Sequence, residues 1–215
     1  MMKLHGYFRS SASYRVRIAL NLKGLSYEQA SVHLSRGGGQ QFSPAFRMLN
    51  PQALVPVLDD DGRLLTQSLA IIEYLEETHP EPPLLPASPE GRARVRALAQ
   101  AIACDIHPLN NLRVLNYLSG SVGASDDRKR EWYHHWIAEG LRPLEAILAG
   151  APERGRFCHG DAPGLADCCL VPQLANARRY KCELAPYQTL LEIEAHCLAL
   201  EAFQRAAPER QPDAE

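Results

Sequence analysis

The chain has 215 residues, 46% hydrophobic and 22% charged, and its 23 Lys and Arg against 25 Asp and Glu leave a formal net charge of −2. Such a composition describes a folded globular protein of one large or two small domains and excludes a disordered chain. Near-neutrality removes any general electrostatic reason to hold nucleic acid or an anionic membrane, and no apolar run approaches the ~20 residues that span a bilayer.

Residues 3–8, KLHGYF, read as a first strand. In residues 14–23, YRVRIALNLK, Val16, Ile18, Leu20 and Leu22 alternate as in a strand. Composition nevertheless makes this a helix: Arg, Ala, Leu and Lys are good helix formers, serines precede the run as caps, and Gly24 ends it. Residues 26–34 form a second strand, residues 37–39 a glycine loop, and residues 55–66 a hairpin turning at Asp60-Asp61-Gly62. Ser68 caps a helix that Pro80 terminates. The order is β-α-β followed by β-β-α.

Five prolines in residues 80–89 mark a linker. Beyond it Ser88 as N-cap and Pro89 at the first helical position open an all-helical region. Val95, Leu98, Ile102, Ile106 and Leu109 recur at helical steps, with a bend expected at Pro108; Trp132, Trp136, Leu141, Leu144 and Leu148 mark another helix. Residues 160–164 form a turn and 165–180 a buried helix, and the polar tail 208–215 is expected to be loose. The chain therefore reads as an α/β domain joined to an all-α domain.

Ser10, Ser11 and Ser13 stand where the first strand meets the first helix. One of them caps; the three together exceed what a cap needs, and a helix N-terminus favours a bound anion or thiolate. Arg9 and Arg15 add positive charge. Pro56, in Leu54-Val55-Pro56-Val57, is either an edge-strand proline or a cis proline that turns the Val55 backbone toward a ligand. Gln67-Ser68 opens another helix and serves either as a cap or as a holder of a carboxylate. The run from Gly37 to Gln41 is no phosphate loop, because no Gly-Lys-Ser/Thr follows. It is a flexible loop or one that presents a glutamine. Arg178 and Arg179 end a helix, where they complement its dipole.

The six cysteines, Cys104, Cys158, Cys168, Cys169, Cys182 and Cys197, include no Cys-x-x-Cys pair, and the eight histidines no His-Glu-x-x-His. Structural thiols and no metal site are expected. The opening MMKLHGYFRS has no apolar h-region, which points to the cytoplasm.

The segment FRSSASYRVRIALNLKG resembles the signature of zeta-class glutathione transferases, and the resemblance continues through GGGQQF, LNPQALVPVL, TQSLAIIEYLEETHP, ADCCLVPQLANARRYKCELAPY and RQPD. It covers nearly the whole chain. Cys104-Asp105-Ile106-His107-Pro108 with Asn110-Asn111 looks closest to a bacterial maleylpyruvate-isomerising branch. The resemblance implies a thioredoxin-like glutathione-binding domain over residues 1–80, a linker over 81–88, a helical domain over 89–208 and a tail over 209–215. It implies glutathione as cofactor and a homodimer. Ser10 and Ser11 would face the glutathione sulfur, with Ser11 favoured as the group that stabilises the thiolate and Ala12 beside them. Gln41, Val55, Gln67 and Ser68 would hold the tripeptide, joined by His107, Asn111 and Arg113. Arg9, Arg15 and Arg179 would meet substrate carboxylates.

The implied reaction is cis–trans isomerisation of a maleyl keto acid in aromatic catabolism by thiolate addition, bond rotation and elimination. Maleylacetoacetate is the favoured substrate, with maleylpyruvate or general conjugation as alternatives. The sequence departs from the family where Ala12 replaces a cysteine and Tyr14 a tryptophan. Gly164 stands in for a Ser or Thr N-cap, a change worth a few tenths of a kcal/mol.

Overall fold

In the computed structural model, which describes residues 1–215, strands β1 (Met2–Gly6), β2 (Tyr27–Ser31), β3 (Val57–Asp60) and β4 (Arg63–Thr66) form one sheet of order β2-β1-β3-β4. β1 and β2 are parallel and β3 and β4 antiparallel to their neighbours, with Leu4 opposite Leu58 at the centre. A parallel pair needs a crossover, which is helix α1 (Ser11–Leu22). The β3–β4 hairpin closes through Asp61 and Gly62, both at positive φ, the backbone that two-residue hairpins require.

The chain divides into two units, Met1–Leu84 together with Leu198–Glu215, and Leu85–Cys197. In the first, helices α2 (Pro44–Leu49) and α3 (Ser68–Thr78) accompany the sheet. Leu4, Val16, Ile18, Leu20, Leu58, Ile71, Ile72 and Leu75 are buried in its core. The strand-like alternation in α1 has a physical cause. The helix packs on α3 on one side and on the closing helix α9 (Glu201–Ala206) on another, so even Arg15 and Arg17 are buried. A helix enclosed on several faces loses the single apolar stripe that a surface helix shows.

Several elements differ from expectation. β1 ends at Gly6, leaving Tyr7 and Phe8 in the turn before α1. The glycine loop carries two short 3₁₀ turns, Arg36–Gly38 and Gln40–Phe42, and α2 follows it with Ser43 as N-cap. Ser68 is the first residue of α3 and Gln67 occupies its N-cap position, because the Ser68 hydroxyl accepts instead from Arg15 Nη1 at 3.2 Å. Residues 198–208 pack in the sheet unit, not in the helical one. The tail 208–215 is not loose: Gln211 Nε2 donates to the carbonyls of Arg205 and Ala207, both at 2.8 Å, and Asp213 accepts from β2.

The second unit holds α4 (Pro89–Gln100), α5 (Leu112–Gly120), α6 (Asp126–Ala149), α7 (Leu165–Arg179) and α8, whose last residue, Leu198, counts with the first unit (Gln188–Leu198). Ser88 caps α4 through the Gly91 N–H, as its sequence requires. The long helix expected to bend at Pro108 is interrupted more fully, by a π turn at Ala101–Ile106 and a 3₁₀ turn at His107–Asn110 that carries the proline. Gly140 of α6 lies against this π turn: a Cβ there would come within 2.2 Å of the Ile106 side chain. At the start of α7 the Asp167 carboxylate accepts from the Gly164 N–H at 2.8 Å and the Cys158 N–H at 2.9 Å. Asp167 thereby caps α7 although Gly164 has no hydroxyl. None of the helices is long and apolar enough to cross a membrane.

Candidate active site

The three serines at the start of α1 have separate places. Ser10 is the N-cap, its hydroxyl accepting from the Ser13 N–H at 3.2 Å. Ser13 is buried, and its Oγ accepts from the Tyr7 N–H at 3.4 Å. Ser11 is the first helical residue and 5% exposed, with Ala12 half-buried beside it. First-turn N–H groups have no partner within a helix, so this end of α1 presents donors and positive potential to an anion. Arg9 is exposed immediately before it, its guanidinium 4.7 Å from the centre of the Phe8 ring.

Arg15 does not stand beside Arg9. It is 2% exposed, and its bond to the Ser68 hydroxyl ties α1 to the start of α3. A guanidinium so enclosed orients Ser68; it is not placed to meet a substrate arriving from solvent. Gln67 has φ 67° and ψ 114°, an uncommon backbone for a residue with a Cβ, worth about 1–3 kcal/mol of local strain. Its Nε2 donates to Gln52 Oε1 at 3.1 Å. No side chain caps α3.

The Val55–Pro56 peptide is cis, as one of the two readings of that proline required. Buried Asn50, which sequence reasoning passed over, donates to the Leu54 carbonyl at 2.8 Å and accepts from the Gln52 N–H at 3.0 Å. It fixes the loop that carries Val55; the only signal for it was the Asn-Pro pair that suggests a turn. Gln41 is buried at 5% exposure. Its Nε2 donates to the Leu34 carbonyl, while its Oε1 is buried without a partner in the protein. Gly39, at φ 107°, leaves room for that amide, since a Cβ there would lie 2.6 Å from Gln41 Nε2. A buried acceptor without a donor costs about 1–3 kcal/mol and is satisfied when a ligand supplies the N–H.

In the helical unit His107 begins the 3₁₀ turn and Asn111 is the N-cap of α5, its Oδ1 accepting from the Arg113 N–H at 3.0 Å. Arg113 itself is exposed. The adjacent arginines at the end of α7 differ. Arg178 forms a two-point ion pair with buried Glu194 and does not merely face water. Arg179 is exposed and lies over the Tyr180 ring at 4.8 Å, with Nη2 donating to the Tyr180 hydroxyl at 3.1 Å. Tyr180 stacks on buried Tyr133 at 3.8 Å, and Tyr133 accepts from Asn176 Nδ2 at 2.6 Å. This aromatic support was not foreseen beyond the Arg-Tyr pair itself.

Burial pushes the Cys182 thiol up to about 11, and burial with Asp167 alongside raises Cys158 well above the ordinary thiol range.

Residues 4–83 match the family model of the glutathione S-transferase N-terminal domain, and residues 130–196 that of the C-terminal domain. The chain belongs to the glutathione S-transferase family. Its sheet unit is the thioredoxin-like part of this fold and its helical unit the other part. It is 51% identical to the maleylacetoacetate isomerase of Rhizobium meliloti, covering 96% of each chain. It matches the holo structure of a maleylpyruvate isomerase, a bacterial zeta-class glutathione S-transferase, with TM-score 0.96 and 51% identity over 99% of this chain and 100% of that one. It also matches the structure of a maleylacetoacetate isomerase from Methylobacterium extorquens AM1 with bound malonate and GSH, with TM-score 0.95 and 46% identity over 99% of each chain.

Proposed function

We propose that this glutathione S-transferase is a glutathione-dependent cis–trans isomerase of maleyl keto acids, with maleylacetoacetate as substrate. The observation that carries the reading is the bond from Arg15 to Ser68, which ties together the starts of α1 and α3. Two helix N-termini held in one unit suit a tripeptide that carries a thiolate on its central residue and a carboxylate at its γ-glutamyl end. The residues fit glutathione at further points: the unpartnered Gln41 Oε1, the cis Val55–Pro56 peptide and the uncapped start of α3.

When bound, glutathione supplies the thiol that adds reversibly to the cis double bond and leaves after rotation about it. The chain's own groups make that chemistry possible at neutral pH. Ser11, with the first-turn N–H groups of α1, favours the thiolate form of the cofactor, each unit of pKa depression being worth ~1.4 kcal/mol. Ser10 holds the cap that keeps those groups in place. Gln67 and Ser68 take the carboxylate of the γ-glutamyl end, while Val55 pairs through its backbone and Gln41 accepts from the tripeptide. His107, Asn111 and Arg113 are assigned to the cofactor from the helical unit. Arg9 and Arg179 take the two substrate carboxylates, where planar guanidinium forks suit the geometry. Their charge also stabilises the negative charge that builds up on the keto oxygen.

The enzyme is further read as a cytoplasmic homodimer of aromatic, including tyrosine, catabolism. Exposed Phe42 and Met48 on one unit and Ile147 on the other supply apolar surface for a second copy. The activity test is conversion of maleylacetoacetate to its fumaryl isomer by enzyme freed of small thiols. Turnover is expected only on adding glutathione, and thiol-free turnover refutes the mechanism. Comparing kcat/KM for maleylacetoacetate and maleylpyruvate decides the substrate, the second being favoured by the Cys104 to Pro108 segment.

A further inference from the structure

The closing segment of the chain grips the turn that carries the serines. The Asp213 carboxylate accepts three hydrogen bonds, from the Phe8 N–H at 3.2 Å, Ser31 Oγ at 2.9 Å and Gln29 Nε2 at 2.9 Å. Gln29 and Ser31 belong to the edge strand β2, so they anchor the carboxylate, and Phe8 lies two residues before the cap Ser10. The other side of the same turn is held by Arg17. This buried guanidinium donates to the Phe8 carbonyl at 3.0 Å and to the Ala206 carbonyl of α9 at 2.9 Å. Phe8 is thus fixed at its N–H by the tail and at its carbonyl by a residue that also binds the helix leading into the tail.

A second contact reaches the loop that presents Gln41. Glu215 pairs with Arg36 and, at 3.2 Å, with His33 Nε2. His33 Nδ1 accepts from the N–H groups of Ser35 and Arg36, which leaves the ring hydrogen on Nε2 to be donated to Glu215. His33 is joined to Gln40 by backbone and side chain: its N–H donates to Gln40 Oε1 at 2.7 Å, and its carbonyl accepts from the Gln40 N–H at 2.8 Å. Gln41 is the next residue.

We propose that residues 208–215 act as a strap that sets two loops of the glutathione site, with Asp213 the positioning residue for the serine turn at the sulfur and Glu215 for the Gln41 loop that holds the tripeptide. This rests on reading Ser10 and Ser11 as the groups that favour the thiolate. Neither acidic residue touches the reacting atoms. Each acts through the backbone it holds, and displacement of a reacting geometry by about an ångström is enough to cost up to 10²-fold in rate.

The test is the thiol pKa of enzyme-bound glutathione, read by ultraviolet absorbance, with kcat and the glutathione KM measured on the same preparations. Asp213→Ala is expected to raise that pKa by roughly half a unit or more and to lower kcat about three- to tenfold, with a smaller change in KM. Asp213→Asn keeps the shape of the side chain and one acceptor oxygen but removes the charge and the second acceptor, so it moves the pKa in the same direction by a smaller amount even if the alanine variant does not fold. Glu215→Gln is expected to raise the glutathione KM with kcat unchanged. A thiol pKa unchanged in both Asp213 variants, with only a lower melting temperature, overturns the serine-turn half; an unchanged KM in Glu215→Gln overturns the other. Ser11→Ala is the control for the underlying reading. If it raises the thiol pKa while the Asp213 variants do not, the strap alone is wrong; if it also leaves the pKa unchanged, the serine assignment fails.

Discussion

Arg178 and Arg179 are neighbours with opposite dependencies. Arg178 is spent on Glu194, which is only 4% exposed, whereas Arg179 rests on Tyr180 and faces solvent. A charge-assisted guanidinium–carboxylate contact is worth about 1.5–3 kcal/mol, so Arg179→Ala is expected to lower kcat/KM for a maleyl keto acid roughly 10–150-fold. Conjugation of glutathione to an uncharged electrophile stays nearly unchanged in that variant, and thermal stability moves little. Arg178→Ala has the reverse profile: stability falls because a buried carboxylate loses its partner, while the ratio of the two activities holds. Both activities and a melting curve on each variant decide the assignment. Equal loss of the two activities in Arg179→Ala means that this residue supports the fold or the cofactor instead. Local chemistry did not separate the pair, since both sit at a helix C-terminus; the resemblance singled out Arg179, and only the packing of α8 shows that Arg178 is taken by Glu194.

Among the elements, α1 is fastened at both ends. At its C-cap, the Lys23 ammonium is fully enclosed and donates to Glu76 Oε2 at 2.8 Å, to the His79 carbonyl at 2.7 Å and to the Pro82 carbonyl at 3.0 Å. Glu76 in turn accepts from the Leu84 N–H at 2.9 Å. One lysine therefore ties α1 to the end of α3 and to the proline-rich stretch that leaves the unit. Lys23→Met leaves a buried carboxylate behind and is expected to cost about 3–5 kcal/mol in urea unfolding. The double variant with Glu76→Leu should recover much of that loss. A single variant within about 0.5 kcal/mol of the parent shows that the pair contributes nothing net. The helix, the hairpin and the proline stretch were legible because caps, turn residues and prolines act within a few residues. Ser68 was misread for the same reason: Ser before an apolar run signals a cap, and nothing local reports that Arg15 takes its hydroxyl.

At the level of the whole molecule, cofactor binding and folding are linked, because a ligand that binds only the folded chain stabilises it by about 2.7 kcal/mol at a hundred times its Kd. Glutathione is expected to raise the melting temperature by several degrees, on the scale of roughly 2–4 °C per kcal/mol for a chain of this size. Gln67→Ala combined with Ser68→Ala should abolish that rise and also retention on immobilised glutathione. Persistence of both effects in the double variant removes the pair from the site. Circular dichroism of the unliganded variant guards against a trivial loss of fold.

The sequence by itself determined the order of the four strands with α1 and α3, the division into a sheet-bearing and a helical part, and the residue types offered at two helix N-termini. These are consequences of local chemistry, carried by caps, prolines, glycines and the spacing of apolar side chains. Only the tertiary structure decided which serine caps, that Arg15 is buried on Ser68, and that Gln41 keeps an amide oxygen without a protein partner. It also decided that the polar tail is a built part of the sheet unit, through an Asp213 that meets Phe8 across 205 residues of chain. A tail of Pro, Glu, Arg, Gln and Asp is indistinguishable in composition from a solvated end. Its order comes from donors that β2 and the turn after β1 present only once the sheet has formed.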